Sequence, residues 1–219
     1  MNPCSLGLVS HREALLLPVE TFMRDCSSDN VSNDAEILAA IQQDTRYLAN
    51  LDWGAPRPGH PEGTVRAHLA ELERNLDAVG EKLTERDRDR LRLVIHTHDT
   101  FKADARPGVA IADPHSHASL ACRFLAEFCD DADVLHTVQW HDEPYALWRK
   151  QRHRQTVDSE RLHALLRRTA DWDLFLAFQI IDGCTAGKSR EPLEWFFAAI
   201  AGRASSRFSA KDILSRAGV

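Results

Sequence analysis

From Asn33 onward, apolar residues recur every three or four positions in stretches separated by short polar breaks, and no run alternates with the period of a β-strand. Such a chain can build helices and little else. Capping residues mark the starts: Asn33, Thr64 before Val65, Thr84 with Asp87, Asp113-Pro114, and Asp130 with Asp133. Asp158 opens a long stretch ending near Gly183, followed by a segment from Pro192 to Ala201 and a last one opened by Ser209 with Asp212. Pro56, Pro58, Gly59 and Pro61 make residues 52–63 a loop, and Pro107-Gly108 does the same for residues 103–113. The expected fold is all-α, a compact bundle of about seven or eight helices. Residues 1–33, a polar mixture with few apolar positions, read as a leading arm, and residues 34–219 as the helical domain.

A chain of 219 residues suits one domain with a sizeable core. Its 43% hydrophobic and 27% charged residues are those of a globular protein. The formal charge of -6 argues against binding extended nucleic acid, which needs clustered Lys and Arg. Small substrates fit better. Cys4, Cys26, Cys122, Cys129 and Cys184 are scattered without a CxxC pair, as in a reducing compartment. The short apolar run after His11, Arg12 and Glu13 lacks a secretory layout, and no segment has the uninterrupted apolar length of a membrane span. A cytoplasmic location is expected.

Ligand-type side chains interrupt the apolar stripes. His68 lies within the stripe of Val65, Leu69, Leu72 and Leu76; His98, beside Asp99, continues Leu91, Val94 and Ile95. His117 heads Leu120, Ala121, Phe124 and Phe128, His141 follows Val134 and Val138, and Asp182 extends Leu174, Phe175 and Phe178. Five helices thus turn an imidazole or carboxylate inward. Burying such groups unpaired costs several kcal/mol, so a cluster of them calls for mutual pairing or a bound cation. Mixed nitrogen and oxygen donors suit one or two divalent ions such as Fe, Mn, Co, Ni or Zn, with Mg also compatible. His11, His60, His136, His153 and His163 fall off the stripes and read as surface residues. His96 and His115 are ambiguous: His96, two residues before His98, faces elsewhere on its helix, His115 competes with His117, and a part for either would be mainly as a contact around the ligands or to substrate.

The order His68, His98-Asp99, His117, His141, Asp182 resembles the HD-domain superfamily in its six-ligand, dinuclear form, over residues 59–183. The resemblance implies that Asp99 bridges two metals, with His68, His98 and Asp182 on one side and His117 and His141 largely on the other; a mononuclear form would use only His68, His98, Asp99 and Asp182. It also matches Lys102 to a lysine frequent three residues after the Asp. The activity implied is hydrolysis of a phosphate mono- or diester, for which a nucleotide is one substrate, with Asp99 positioning or deprotonating the water and Lys102 neutralising charge on phosphoryl oxygens. A smaller branch with the same ligands implies instead a di-iron oxygenase cleaving C–C or C–P bonds. A regulatory or binding module is the third class, set apart by lost ligands. After His141, EPYALWRKQRHR interleaves Tyr145 and Trp148 with Arg149, Lys150, Arg152 and Arg154, and Tyr145, Arg149 and the earlier Arg106 are the candidate contacts to a small phosphorylated substrate.

Overall fold

The computed structural model describes residues 29–214 and is helical throughout, with no strand among these residues. In chain order its helices are α1 (Asp29–Gln43), α2 (Thr45–Asn50), α3 (Val65–Val79), α4 (Glu85–Thr97), α5 (His117–Leu125), α6 (Ala132–Trp140), α7 (Glu143–Arg154), α8 (Ser159–Arg168), α9 (Trp172–Gly183) and α10 (Glu191–Ile200). The all-α expectation therefore holds. The starts follow the capping groups: Thr64 accepts a hydrogen bond from the Ala67 amide at 3.2 Å, and Thr84 and Asp87 form a reciprocal capping box.

Several boundaries differ from expectation. Helix α1 starts at Asp29, ahead of Asn33, and α2 is an additional short helix capped by Asp44. The proline pair at Asp113-Pro114 opens no helix. Asp113 accepts the His115 amide in a turn, while Ser116 caps α5 by accepting the Ser119 amide at 3.1 Å and donates its hydroxyl to Ile111 O. Asp131, rather than Asp130, caps α6. The stretch after Asp158 divides into two helices because Thr169 is extended and Asp171 caps a new start, accepting from Leu174 N at 2.9 Å. Ser209 and Asp212 do form a capping box, but on a single 3₁₀ turn. Residues 1–28 of the expected arm, including His11, lie outside the described residues.

Two helices make the centre. Every residue of α9 from Leu174 to Ile181 is buried, since α3, α4, α6 and α10 all pack against it. Helix α4 contributes Leu91, Leu93, Val94 and Ile95, all fully buried, and touches α1, α3, α5, α6 and α9. Its Arg90, only 8% exposed, pairs with Asp131 at 2.9 Å and Asp171 at 2.7 Å, joining the caps of α6 and α9. No helix among the described residues is long and apolar enough to cross a membrane.

Candidate metal centre

Helix ends converge on one point. His98 is the C-cap of α4 with Asp99 next to it, His141 is the C-cap of α6, His117 is the first residue of α5, and Asp182 lies in the last turn of α9. Only His68 comes from a helix interior, on the buried face of α3. The last carbonyls of a helix have no partner inside it, and here imidazoles serve them. His98 Nδ1 donates to Ile95 O at 2.9 Å, and His141 Nδ1 donates to Val138 O at 2.8 Å. Each bond fixes the ring and turns Nε2 into the site, where the neutral imidazole would offer a lone pair. The Phe178 ring meets both imidazoles edge-on, with centroids 5.0 Å from His98 and 6.2 Å from His141.

Asp99 lies between two sets of ligands. Its Oδ2 is 3.4 Å from His98 Nε2 and 3.7 Å from His68 Nε2, while Oδ1 is 3.6 Å from both His117 Nε2 and His141 Nε2. Asp182 Oδ1 lies 3.1 Å from His68 Nε2. Among the described residues the donors form three compact groups able to hold a metal ion: His68–His98–Asp182 and Asp99–His117–His141, made of the expected ligands, and His60–Glu62–His68 beside them. Ligand bonds of about 2.0–2.2 Å separate neighbouring donor atoms by roughly 3.0–3.5 Å, close to these spacings.

The protonation pattern favours a cation. His98 Nε2 is an acceptor facing the acceptor Asp99 Oδ2, and both it and His68 Nε2 are buried without a hydrogen-bond partner. His117 and His141 bring their Nε2 atoms within 3.2 Å of each other, a spacing that requires a proton or a metal between or beside them. Burial pushes the His98 pKa down against the pull of Asp99. For His141, burial is outweighed by Asp142 and Asp99, and the group is raised to about 9. Burial also opposes ionisation of Asp99 and Asp182, yet Lys102 and His98 hold the first, and Lys188 and His68 the second, well below the usual carboxylate range. Both carboxylates are therefore ionised and ready to ligate.

A cleft of about 800 Å³ opens onto Asp99, His117, His141 and Asp182, with the buried His68 and His98 alongside. The candidate substrate residues Lys102, Arg106, Tyr145 and Arg149 all line it, and Trp148 stacks beside Tyr145 with ring centroids 5.6 Å apart. Lys102 Nζ is bonded to Asp99 Oδ2. Two other basic residues of that segment are engaged elsewhere: Lys150 pairs with Asp158 and Arg152 with Glu191. His153 and His163 are exposed as expected.

Two histidines read as surface residues are not. His136 is partly buried and bonds Thr169 Oγ1 at 2.9 Å. His60, 24% exposed, lines the cleft and holds Glu62 Oε1 at 2.9 Å. Its loop is drawn inward because Pro61 sits against Gly187, where a Cβ would come within 2.7 Å of the proline ring. Of the two ambiguous residues, His96 bonds the Tyr47 hydroxyl at 2.7 Å, away from the centre, and His115 is exposed beside Asp113.

Three side chains escaped the sequence reading. Asp142 brings a further carboxylate to the histidine pair, 3.2 Å from His117 Nε2 and 3.8 Å from His141 Nε2. Lys188 Nζ pairs with Asp182 Oδ1 at 2.7 Å. Glu62, 9% exposed, bonds His60 through Oε1 and brings that oxygen to 3.2 Å from His68 Nδ1, which has no hydrogen-bond partner, so that Glu62 adds a carboxylate donor behind His68. The signal for Asp142 was a second His-Asp dipeptide, in QWHDEP. Glu62 and Lys188 sit in loops, where no periodicity assigns a direction. The Glu62→Gln variant should fold normally yet bind metal roughly 10–100-fold more weakly, as displacement titration with a chromogenic chelator would record. Undiminished affinity would remove Glu62 from the site.

Comparison with known proteins adds no relative: no family model matches the chain, and no curated protein or solved structure matches it.

Proposed function

We propose that this protein is a metal-dependent phosphohydrolase of the HD type that cleaves a small phosphate mono- or diester, with a nucleotide as one fitting substrate. The observation that carries the reading is Asp99, whose two oxygens each address a separate set of ligands. Spacing of this kind suits a pair of divalent ions, whose chemistry when bound is to polarise a phosphoryl oxygen and bring water's pKa toward neutrality. His68, His98 and Asp182 would hold one ion, His117 and His141 the other, and Asp99 both.

The protein's own groups complete the proposal. Lys102 uses one ammonium hydrogen on Asp99, which leaves donors for an anionic oxygen in the cleft. Burial lowers the Lys102 pKa, but Asp99 and Asp142 raise it overall, so the cation persists. Arg106 and Arg149 supply further positive charge along the wall, and Tyr145 with Trp148 offers flat surfaces to a ring.

The test is metal analysis of protein purified without added ions, followed by assays with p-nitrophenyl phosphate, bis-p-nitrophenyl phosphate and nucleotides. Hydrolysis lost with a chelator and restored by one of Mn, Fe, Co, Ni or Zn is the expected result. A reduced di-iron protein that consumes O₂ with substrate and hydrolyses none of the panel would replace this reading by the oxygenase.

A further inference from the structure

A second cavity, of about 470 Å³, lies beside the metal cleft between the 103–113 loop, α7 and α8. Val109, Ile111, Ala146 and Arg149 line both cavities and so form a shared partition. The partition is held in place. Ile111 O accepts hydrogen bonds from Ser116 Oγ at 2.6 Å, Gln139 Nε2 at 3.0 Å and Ser119 Oγ at 3.2 Å, while Arg106 N donates to His115 O at 2.9 Å. A segment without secondary structure fastened so thoroughly gives a preformed wall, which lowers the entropic cost of binding against it.

The lining is apolar apart from Glu143 and three guanidiniums. Glu143 is buried, and Arg161 cancels its charge by holding both carboxylate oxygens. No ion pair among the described residues engages Arg149 or Arg168. Arg168 instead lies over the Trp140 ring, 5.3 Å from its centroid, a guanidinium on an indole whose charge no carboxylate of the described residues meets. Charge complementarity thus calls for an anion, and the apolar walls and indole call for a flat hydrophobic body.

We propose that this cavity is a second binding site, for a planar apolar ring carrying an anionic group. Its occupant would touch Val109, Ile111 and Arg149, which also face the metal cleft, so the two sites share one preformed wall. The assignment goes beyond the chemistry at the metal centre and stands whether or not the protein is a phosphohydrolase.

The probe is 1-anilinonaphthalene-8-sulfonate, titrated by fluorescence into the full-length protein. One saturable site is expected, displaced by 1-naphthoate and, at concentrations about tenfold higher, by neutral 1-naphthol. Arg168→Glu and Ala164→Phe should each weaken binding by roughly tenfold or more, while Arg154→Glu, an exposed charge reversal outside both cavities, should bind the dye as wild type does. Near-UV circular dichroism checks each fold. Arg168 is exposed, so its variant keeps the test decisive even where the Phe substitution misfolds. Wild-type dye affinity in folded Arg168→Glu, non-saturable binding, or equal displacement by naphthol and naphthoate would overturn the proposal.

Discussion

Replacing Asp99 by alanine should strip the protein of bound metal altogether, whereas His117→Ala should leave the ion of the other group in place. The asymmetry follows from geometry. Asp99 offers Oδ2 to His68 and His98 and Oδ1 to His117 and His141, so its loss depletes both groups at once. His117 belongs to one group only, and its removal leaves His68, His98 and Asp182 together. Inductively coupled plasma mass spectrometry on the purified variants reads the difference directly. On the proposed phosphohydrolase function, turnover should fall on the order of 10³-fold or more in Asp99→Ala, since the carboxylate facing both donor groups is lost along with Lys102's partner. Unchanged metal content in Asp99→Ala would dismantle the centre as drawn. Equal loss in both variants would instead indicate a single ion shared by all six residues.

Arg90→Met should destabilise the fold by about 3 kcal/mol, a fall in Tm of roughly 6–12 °C, without direct contact with the metal centre. Arg90 is nearly buried, and its guanidinium joins Asp131, which caps α6, to Asp171, which caps α9. Removing it leaves two carboxylates near each other with only their backbone donors, and α6 and α9 both end at candidate metal ligands. Arg90→Lys should fall between wild type and Met, because an ammonium cannot reproduce the forked contacts to Asp131. The pH dependence has a definite sign. Burial opposes ionisation of Asp131, but Arg90 and the α6 amides hold its pKa below the ordinary value. A depressed folded-state carboxylate stabilises the fold above its unfolded pKa, and that contribution is lost as pH falls through the lower, folded value. Urea denaturation of wild type and Arg90→Met should therefore converge in acid and diverge toward neutrality. A constant gap across that range would assign the effect to packing instead.

Much of the candidate site was legible because helical periodicity is a local property. His68 among Val65, Leu69 and Leu72 has to face the core in any helix that buries that stripe, and it does. The same argument placed His98, His141 and Asp182. It worked less cleanly at the edges, since His98 and His141 are C-caps and His117 is the first residue of its helix, so periodicity gave their side but not their role in ending or opening a helix. Where several polar residues can cap, local sequence does not choose: Asp113 and Asp130 were reasonable starts that lost to Ser116 and Asp131. Ser116 gains from a further bond, to Ile111 O, that only the folded loop supplies.

By itself, then, the amino-acid sequence determined the all-helical class, the caps at Thr64, Thr84, Asp158 and Ser209, and the six inward-facing ligand-type residues, because all of these depend on spacings of a few residues. Tertiary structure alone decided which atoms meet: that Asp99 presents one oxygen to each ligand group, that Pro61 packs against Gly187 while Glu62 approaches His68, and that Lys188 reaches Asp182. Loop direction and the approach of distant helix ends are set by packing across the whole core, to which no local period corresponds.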